Sequence, residues 1–285
     1  MRAGKCVLNN SYYAKIDRTK ILVDLPSKRV KIVDFNGISI QNLKRIIHFA
    51  SKQHLSKIIC NCSIESFETF INAGFNLEGK IDGYFKGNDA FCMSYFISCT
   101  RKVCSNFPKK DSLVKECLSM KNTYIHRNNS MEYLIRNATK NDIKEMVDLL
   151  STVFLTYPSP IYDEEYLTQT MNEKVLYKVA VHDGKIVSVA SADMDEKNLN
   201  AEITNCATYP TFRCKGILSN IIHSLEYDLK IKGFLTLYSL SRSINPSINF
   251  ALSKHNYNFA GRLVNNCNIC GAFEDMNLWV KNIYN

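Results

Sequence analysis

The sequence predicts an α/β protein with a sheet of mixed direction. Three observations carry this. Short β-branched runs alternate with amphipathic helical runs across residues 133–280, an Asp183-Gly184 pair marks an antiparallel hairpin, and one strand passes through a basic, glycine-containing turn into a long amphipathic helix.

Taken in order, residues 133–136 read as a short strand. Thr139 to Asp142 then open a helix whose apolar positions Ile143, Met146, Val147 and Leu150 follow the helical period. Tyr157-Pro158-Ser159-Pro160 breaks it, and a second helix is expected over 164–171. Residues 176–182 and 186–194 flank the Asp-Gly turn as hairpin strands, and 201–209 form a further strand. The turn 210–215 leads into a helix over 216–232 with Ile217, Ile221, Ile222 and Leu225 on one face, ended by Gly233. A strand over 234–240, a helix over 246–254 and strands near 257–264 and 276–280 complete this part. Upstream the pattern is weaker: strands over 29–34, 57–60, 79–85 and 90–97, and helices over 40–51 and 65–72.

Residues 106–131 are polar and basic, with Pro108, Lys109-Lys110 and His126-Arg127, and read as a linker holding a short helix over 111–120. The expected division is therefore 1–105, the linker 106–131, and 132–285.

The net charge of +9 is unevenly placed. Residues 1–131 hold 21 basic and 10 acidic side chains, and the rest 15 and 17. No Lys/Arg block exceeds two residues, so no nucleic-acid surface is expected. No apolar run is long enough to span a bilayer, and the start M-R-A-G-K-C lacks the apolar core of a signal peptide, so a cytoplasmic protein without a membrane partner is expected. Its 11 cysteines should then be reduced thiols. Cys60-x-Cys62 and Cys267-x-x-Cys270 are each half of a zinc site, far apart and without a nearby His; they read as small buried residues, and no metal is expected.

The stretch C-A-T-Y-P-T-F-R-C-K-G-I-L-S, residues 206–219, carries the chemistry. A helix that starts just after a glycine turn presents free backbone N–H groups and the positive end of its dipole, a site for a phosphate. Gly216 leaves room for that phosphate to approach the backbone.

This stretch resembles the Arg/Gln-x-x-Gly-x-Gly/Ala motif of the GCN5-related N-acetyltransferases, and the surrounding elements follow that family's order over about 150 residues. The resemblance implies an acetyl-CoA site: pyrophosphate at Arg213, Cys214, Lys215, Gly216, Ile217 and Leu218, the pantetheine arm along Cys206, Ala207 and Thr208, and Asn245 near that arm. Three positions depart from the family. Cys214 stands for a Gly, Leu218 for the last Gly/Ala, and Leu252 for the frequent general-acid Tyr, so protonation of the leaving thiolate must come from elsewhere or from water.

A narrower resemblance, to the β-lysine N-acetyltransferases, rests on A-E-I-T-N-C-A-T-Y-P (201–210), G-R-L-V-N-N-C-N-I-C-G-A-F-E-D-M-N-L-W-V-K (261–281) and G-F-N-L-E-G-K-I-D-G-Y-F-K-G-N-D-A-F (74–91). It implies acetylation of the side-chain amine of β-lysine to Nε-acetyl-β-lysine, a neutral osmolyte. The G-F-x-x-E-G segment also looks like the last half of the same fold. The expected architecture is thus a catalytic GCN5-related domain preceded by a smaller, degenerate GCN5-like α/β domain that binds no CoA.

Freeing an alkyl amine of its proton at pH 7 costs about 4–5 kcal/mol. Glu202, on the strand entering the CoA turn, is the expected base, placed by alternation on the face of Thr204, Cys206 and Thr208. Backbone donors near Cys206 to Thr208 are expected to polarise the thioester carbonyl. Cys206 has no sequence-adjacent His, so direct transfer is favoured over an acyl-cysteine. For a diamino acid substrate, Arg242 and Arg262 are candidates for the carboxylate, and Glu274 and Asp275 for the second amine. Trp279 reads as core and His182 as a turn residue. The competing readings are the same fold acting on α-lysine, ornithine or a polyamine, and a CoA- or amino-acid-sensing module without turnover.

Overall fold

The structure is a computed structural model that describes residues 11–126 and 133–284. The start of the chain and the end of the expected linker, 127–131, lie outside the described residues.

The first half opens with the meander β1 (Tyr12–Ile16), β2 (Thr19–Asp24) and β3 (Arg29–Asp34). Helix α1 (Ile40–Lys52) crosses to β4 (Lys57–Cys62), which runs parallel to β3. Helix α2 (Ile64–Asn72) leads into the hairpin β5 (Asn76–Phe85) and β6 (Asn88–Phe96). After α3 (Phe107–Ser119), the second half contains β7 (Leu134–Asn137), α4 (Ile143–Val153), α5 (Glu164–Glu173), β8 (Val175–His182), β9 (Lys185–Asp195) and β10 (Asn200–Thr208). It continues with α6 (Ile217–Ile231), β11 (Thr236–Arg242), α7 (Pro246–Lys254), β12 (Asn258–Ile269) and β13 (Ala272–Asn282).

All thirteen strands join one sheet, in the order β1-β2-β3-β4-β6-β5-β12-β13-β11-β10-β9-β8-β7. The run β1 to β6 repeats the run β8 to β13: two antiparallel neighbours, a helical crossover to a parallel strand, a second helix, and a hairpin whose later strand inserts between its partner and that parallel strand. The halves meet where β5 crosses β12 at Gly79↔Gly261. A Cβ on Gly261, at φ 147°, would stand 2.3 Å from the Glu78 carbonyl oxygen, so only glycine permits this approach.

The crossing is an approximate two-fold axis, and matching contacts on either side fix the equivalence. Arg29 donates to the Asn266 carbonyl at 2.7 Å, and Asn200 donates to the Tyr84 carbonyl at 2.9 Å. Lys57 donates to the Val264 carbonyl at 2.7 Å, and Thr236 to the Asp82 carbonyl at 3.1 Å. Arg29 pairs with Lys57 in the β3–β4 ladder as Asn200 pairs with Thr236 in the β10–β11 ladder. By the same count Lys31 occupies the position of Glu202.

One face of the sheet carries α1 and α2 in the first half, over Val30, Ile32, Ile58 and Met93, and α6 and α7 in the second, over Ala201, Ile203, Leu237 and Trp279. The other face is covered by α4 and α5 in the second half only. Among the described residues, no helix covers that face of the first half. The segment expected as a linker is largely α3, which docks on α7: Ser253 donates to the Cys117 carbonyl at 2.6 Å, and Cys117 is fully buried. Cys60, Cys62 and Cys267 are buried, and the ten described cysteines are free.

Candidate active site

Strands β10 and β11 pair only over Asn200↔Thr236, Ala201↔Leu237 and Glu202↔Tyr238, then part. Two features hold them open. Asn205, at φ 52°, makes a bulge that shifts the β9 register between Thr204 and Ala207, and Ser239 donates from its side chain to the Ile203 carbonyl at 2.7 Å. The bulge also reverses the expected alternation. Glu202 and Thr204 face the α4–α5 side, but Cys206 packs toward α6 and α7, and Ala207 takes the face it was expected to hold.

Beyond β10 the chain turns through Arg213, which donates to the Thr208 carbonyl at 3.2 Å, and through Cys214 (φ 62°) and Gly216 (φ 75°) into α6. Helix α6 has no side-chain cap and no acidic residue in its first turn, and nothing lies within 4 Å of a Cβ built on Gly216. Its first-turn N–H groups, from Ile217 and Leu218 onward, therefore face open space, which fits a pyrophosphate. Lys215 rests over the Phe212 ring. The equivalent helix α1 differs: Ser39 and Asn42 form a capping box that occupies its N-terminus. Asn245 caps α7 by accepting from the Ser247 N–H at 3.1 Å, where β11 ends beside the opening. Leu252 is fully buried in the α6–α7 core.

Glu202 sits on the last paired rung and projects into a chamber of about 430 Å³ on the opposite face from α6. The second half supplies Glu202, Thr204, Tyr238, Asp193 and the α4–α5 connection with Tyr157 and Ser159. That connection is pinned to the β12–β13 turn, where Gly271 N–H donates to the Thr156 hydroxyl at 2.9 Å. The uncovered face of the first half supplies Arg29, Lys31, Asn61 and Tyr84. An adjoining mouth of about 420 Å³ is lined by Glu173, Asp195 and Glu196, and by Asp193 paired with Lys174 at 2.8 Å.

Burial raises the Glu202 carboxyl above the usual range; Lys31 opposes this and Asp193 adds to it. Tyr238 lies beside Glu202 and favours its charged form, and the Tyr84 ring packs against that of Tyr238 with centroids 5.7 Å apart. Burial lifts the Tyr84 phenol to about 12 and that of Tyr238 further, so both remain donors at neutral pH. Burial likewise lifts Cys206 to about 12 and keeps it a thiol.

The four residues expected to hold substrate lie outside this chamber. Arg242 is paired with Glu274 at 2.5 Å at the far end of β11. Arg262 and Asp275 alternate to the opposite face. Arg262 bonds Asn277 at 3.0 Å and lies over the Phe107 ring, while Asp275 is buried against Lys110 at 2.6 Å and the Asn265 N–H. These are charges satisfied within the fold, and sequence nearness to strand ends did not reveal that. The cations that do face the chamber, Arg29 and Lys31, come from the first half, and only the equivalence of Lys31 with Glu202 could have signalled them.

A parted pair of parallel strands, an uncapped helix after a basic glycine turn, and a half-buried carboxylate beside the parting define an acetyl-CoA-dependent N-acetyltransferase. The acetyltransferase (GNAT) family model matches residues 143–256. The β-lysine N(6)-acetyltransferase of Methanosarcina mazei is 37% identical over 81% of this chain and 93% of its own length. That of Methanococcus maripaludis is 33% identical over 84% of this chain and 87% of its own. An N-acetyltransferase structure from Staphylococcus aureus aligns with 53% of this chain and 99% of its own at 19% identity and a TM-score of 0.47. The chain belongs to the β-lysine N-acetyltransferase family of GNAT acetyltransferases.

Proposed function

We propose that the chain transfers acetyl from acetyl-CoA to the side-chain amine of β-lysine, giving Nε-acetyl-β-lysine as an osmolyte. The observation that carries this reading is the placement of Glu202: half-buried, on the rung where β10 and β11 part, and facing a chamber with anions at its mouth and cations on its far wall. The substrate itself is inferred from the named relatives.

Acetyl-CoA supplies an activated thioester whose thiolate, comparable to a free thiol of pKa about 8.5, is a good leaving group. The turn from Arg213 to Leu218 holds the pyrophosphate, and the parted edges at Cys206, Ala207, Thr208 and Asn245 receive the arm. Glu202 takes the ammonium proton, directly or through one water, and Tyr238 orients its carboxylate. The acidic mouth attracts a cationic substrate. With Leu252 in the core, the thiolate takes its proton from water. We further assign the site to the second unit, 132–285, with the first unit, 1–105, contributing a chamber wall but no CoA site, because α1 caps itself.

The test is CoA release by purified protein with acetyl-CoA and β-lysine, α-lysine, ornithine or spermidine, with the product position read by NMR. Preference for β-lysine with acetyl on the side-chain nitrogen is expected. Preference for a control amine would remove the substrate assignment and leave the acetyltransferase.

A further inference from the structure

Among the chamber's cations, Lys31 stands apart. Arg29 is engaged by Asp24 at 2.8 Å and by the Asn266 carbonyl at 2.7 Å. Outside the chamber lining, Arg101 is spent on Asn265, Ser56 and Ser27, and Lys57 on Glu78 at 2.7 Å. Lys31 lines the chamber and, among the described residues, has no carboxylate within ion-pair distance. Its field is dominated by the repelling Arg29 guanidinium, followed by burial; Asp24 and Glu202 act only at longer range. A half-buried ammonium beside a guanidinium whose counter-charge is already taken is costly unless an anion joins it.

The two-fold relation says where that anion would sit. Lys31 and Glu202 occupy equivalent rungs of their halves, and both face the same chamber. The site is therefore bipolar. The catalytic half presents a carboxylate to an amine, and the equivalent position in the non-catalytic half presents an ammonium.

We propose that Lys31 binds the carboxylate of the substrate, so that the first half of the chain selects amino acids carrying a distal amine over simple diamines. This rests on Glu202 being the amine-side group of the acetyltransferase site. It gives the first half a function in recognition, and it explains why that half keeps one sheet face uncovered.

The test is a substrate–variant cycle on the full chain: β-lysine, its methyl ester and the carboxylate-free 1,4-diaminopentane, each with wild type, Lys31→Met and Lys31→Gln. In wild type, β-lysine is expected to exceed the ester in kcat/KM by about 30- to 100-fold, the scale of a charge-assisted hydrogen bond to a carboxylate. In both variants β-lysine falls to the level of the ester, chiefly through KM, while the ester and the diamine change by less than about threefold. If one variant does not fold, the other decides. Equal losses on β-lysine and the ester would make Lys31 structural and overturn the proposal while leaving β-lysine as substrate. A wild type that prefers the diamine would overturn both.

Discussion

Glu202 combines two effects of one environment. Burial raises its pKa, which suits a base near neutral pH, and the same burial makes its charged form a cost to the fold. The sign follows from linkage: a carboxyl raised in the folded state stabilises below its unfolded pKa and loses that contribution as pH rises through the folded value. Glu202→Gln is therefore expected to lower kcat by about 10²–10⁴-fold and to remove the acidic limb of the pH–rate profile. It should also raise Tm at pH 8 more than at pH 4, as read by thermal melts at both pH values. A variant with full activity would remove Glu202 as base. The sequence disclosed Glu202 by alternation alone, but misplaced Cys206, because the left-handed Asn205 that flips the strand is a backbone event without a distinctive residue. Lys31 was not legible at all. Nothing local marks a strand lysine as a chamber wall before the sheet brings the two halves together.

Helices α1 and α6 are equivalent, yet only α6 leaves its N-terminus open, and the difference lies in a few residues: Ser39 and Asn42 against Cys214 and Gly216. Gly216→Ala keeps a left-handed turn with a Cβ, costing about 1–2 kcal/mol, and points a methyl group into the open space proposed to take the pyrophosphate. KM for acetyl-CoA should rise about tenfold or more while KM for the amine holds; an unchanged KM would place the pyrophosphate elsewhere. Cys214 already bears such strain, so Cys214→Gly should fold and bind acetyl-CoA at least as well. Most of the other elements were legible through periodicity. The hairpin β1–β2 was not, since its turn at Asp17 (φ 53°) and Arg18 has no glycine. The α3 segment read as a linker because its polar residues hide the contacts of Cys117 and Lys110 with partners distant in sequence.

Across the whole molecule, the two halves are joined by a glycine crossing, a buried polar cluster and an apolar cluster that takes Ile81, Ala90 and Cys92 from the first half and Leu263, Met276, Leu278 and Val280 from the second. Lys57 bonds Glu78 and the Val264 carbonyl, while Glu78 accepts from Ser94 and from the Val264 N–H at 2.7 Å. Lys57→Met strands a buried carboxylate and should cost about 3–5 kcal/mol in denaturant unfolding. Gly261→Ala forces a Cβ onto backbone atoms of the facing strand and should cost about 3 kcal/mol or more. Losses below about 1 kcal/mol for both would mean that the halves do not rely on this junction. The motif at 206–219 marked from sequence the basic glycine turn that leaves the α6 N-terminus open. The chamber side was hidden, because its walls come from both copies of the fold.

The central claim is that one chamber, walled by both halves, brings an amine to Glu202. The most direct measurement is a crystal structure of the full chain with CoA and β-lysine. The expected result has CoA entering between β10 and β11, with the side-chain nitrogen of β-lysine within hydrogen-bond distance of Glu202 or one water from it. An amine bound outside the chamber, at Arg242 and Glu274 for instance, would contradict it.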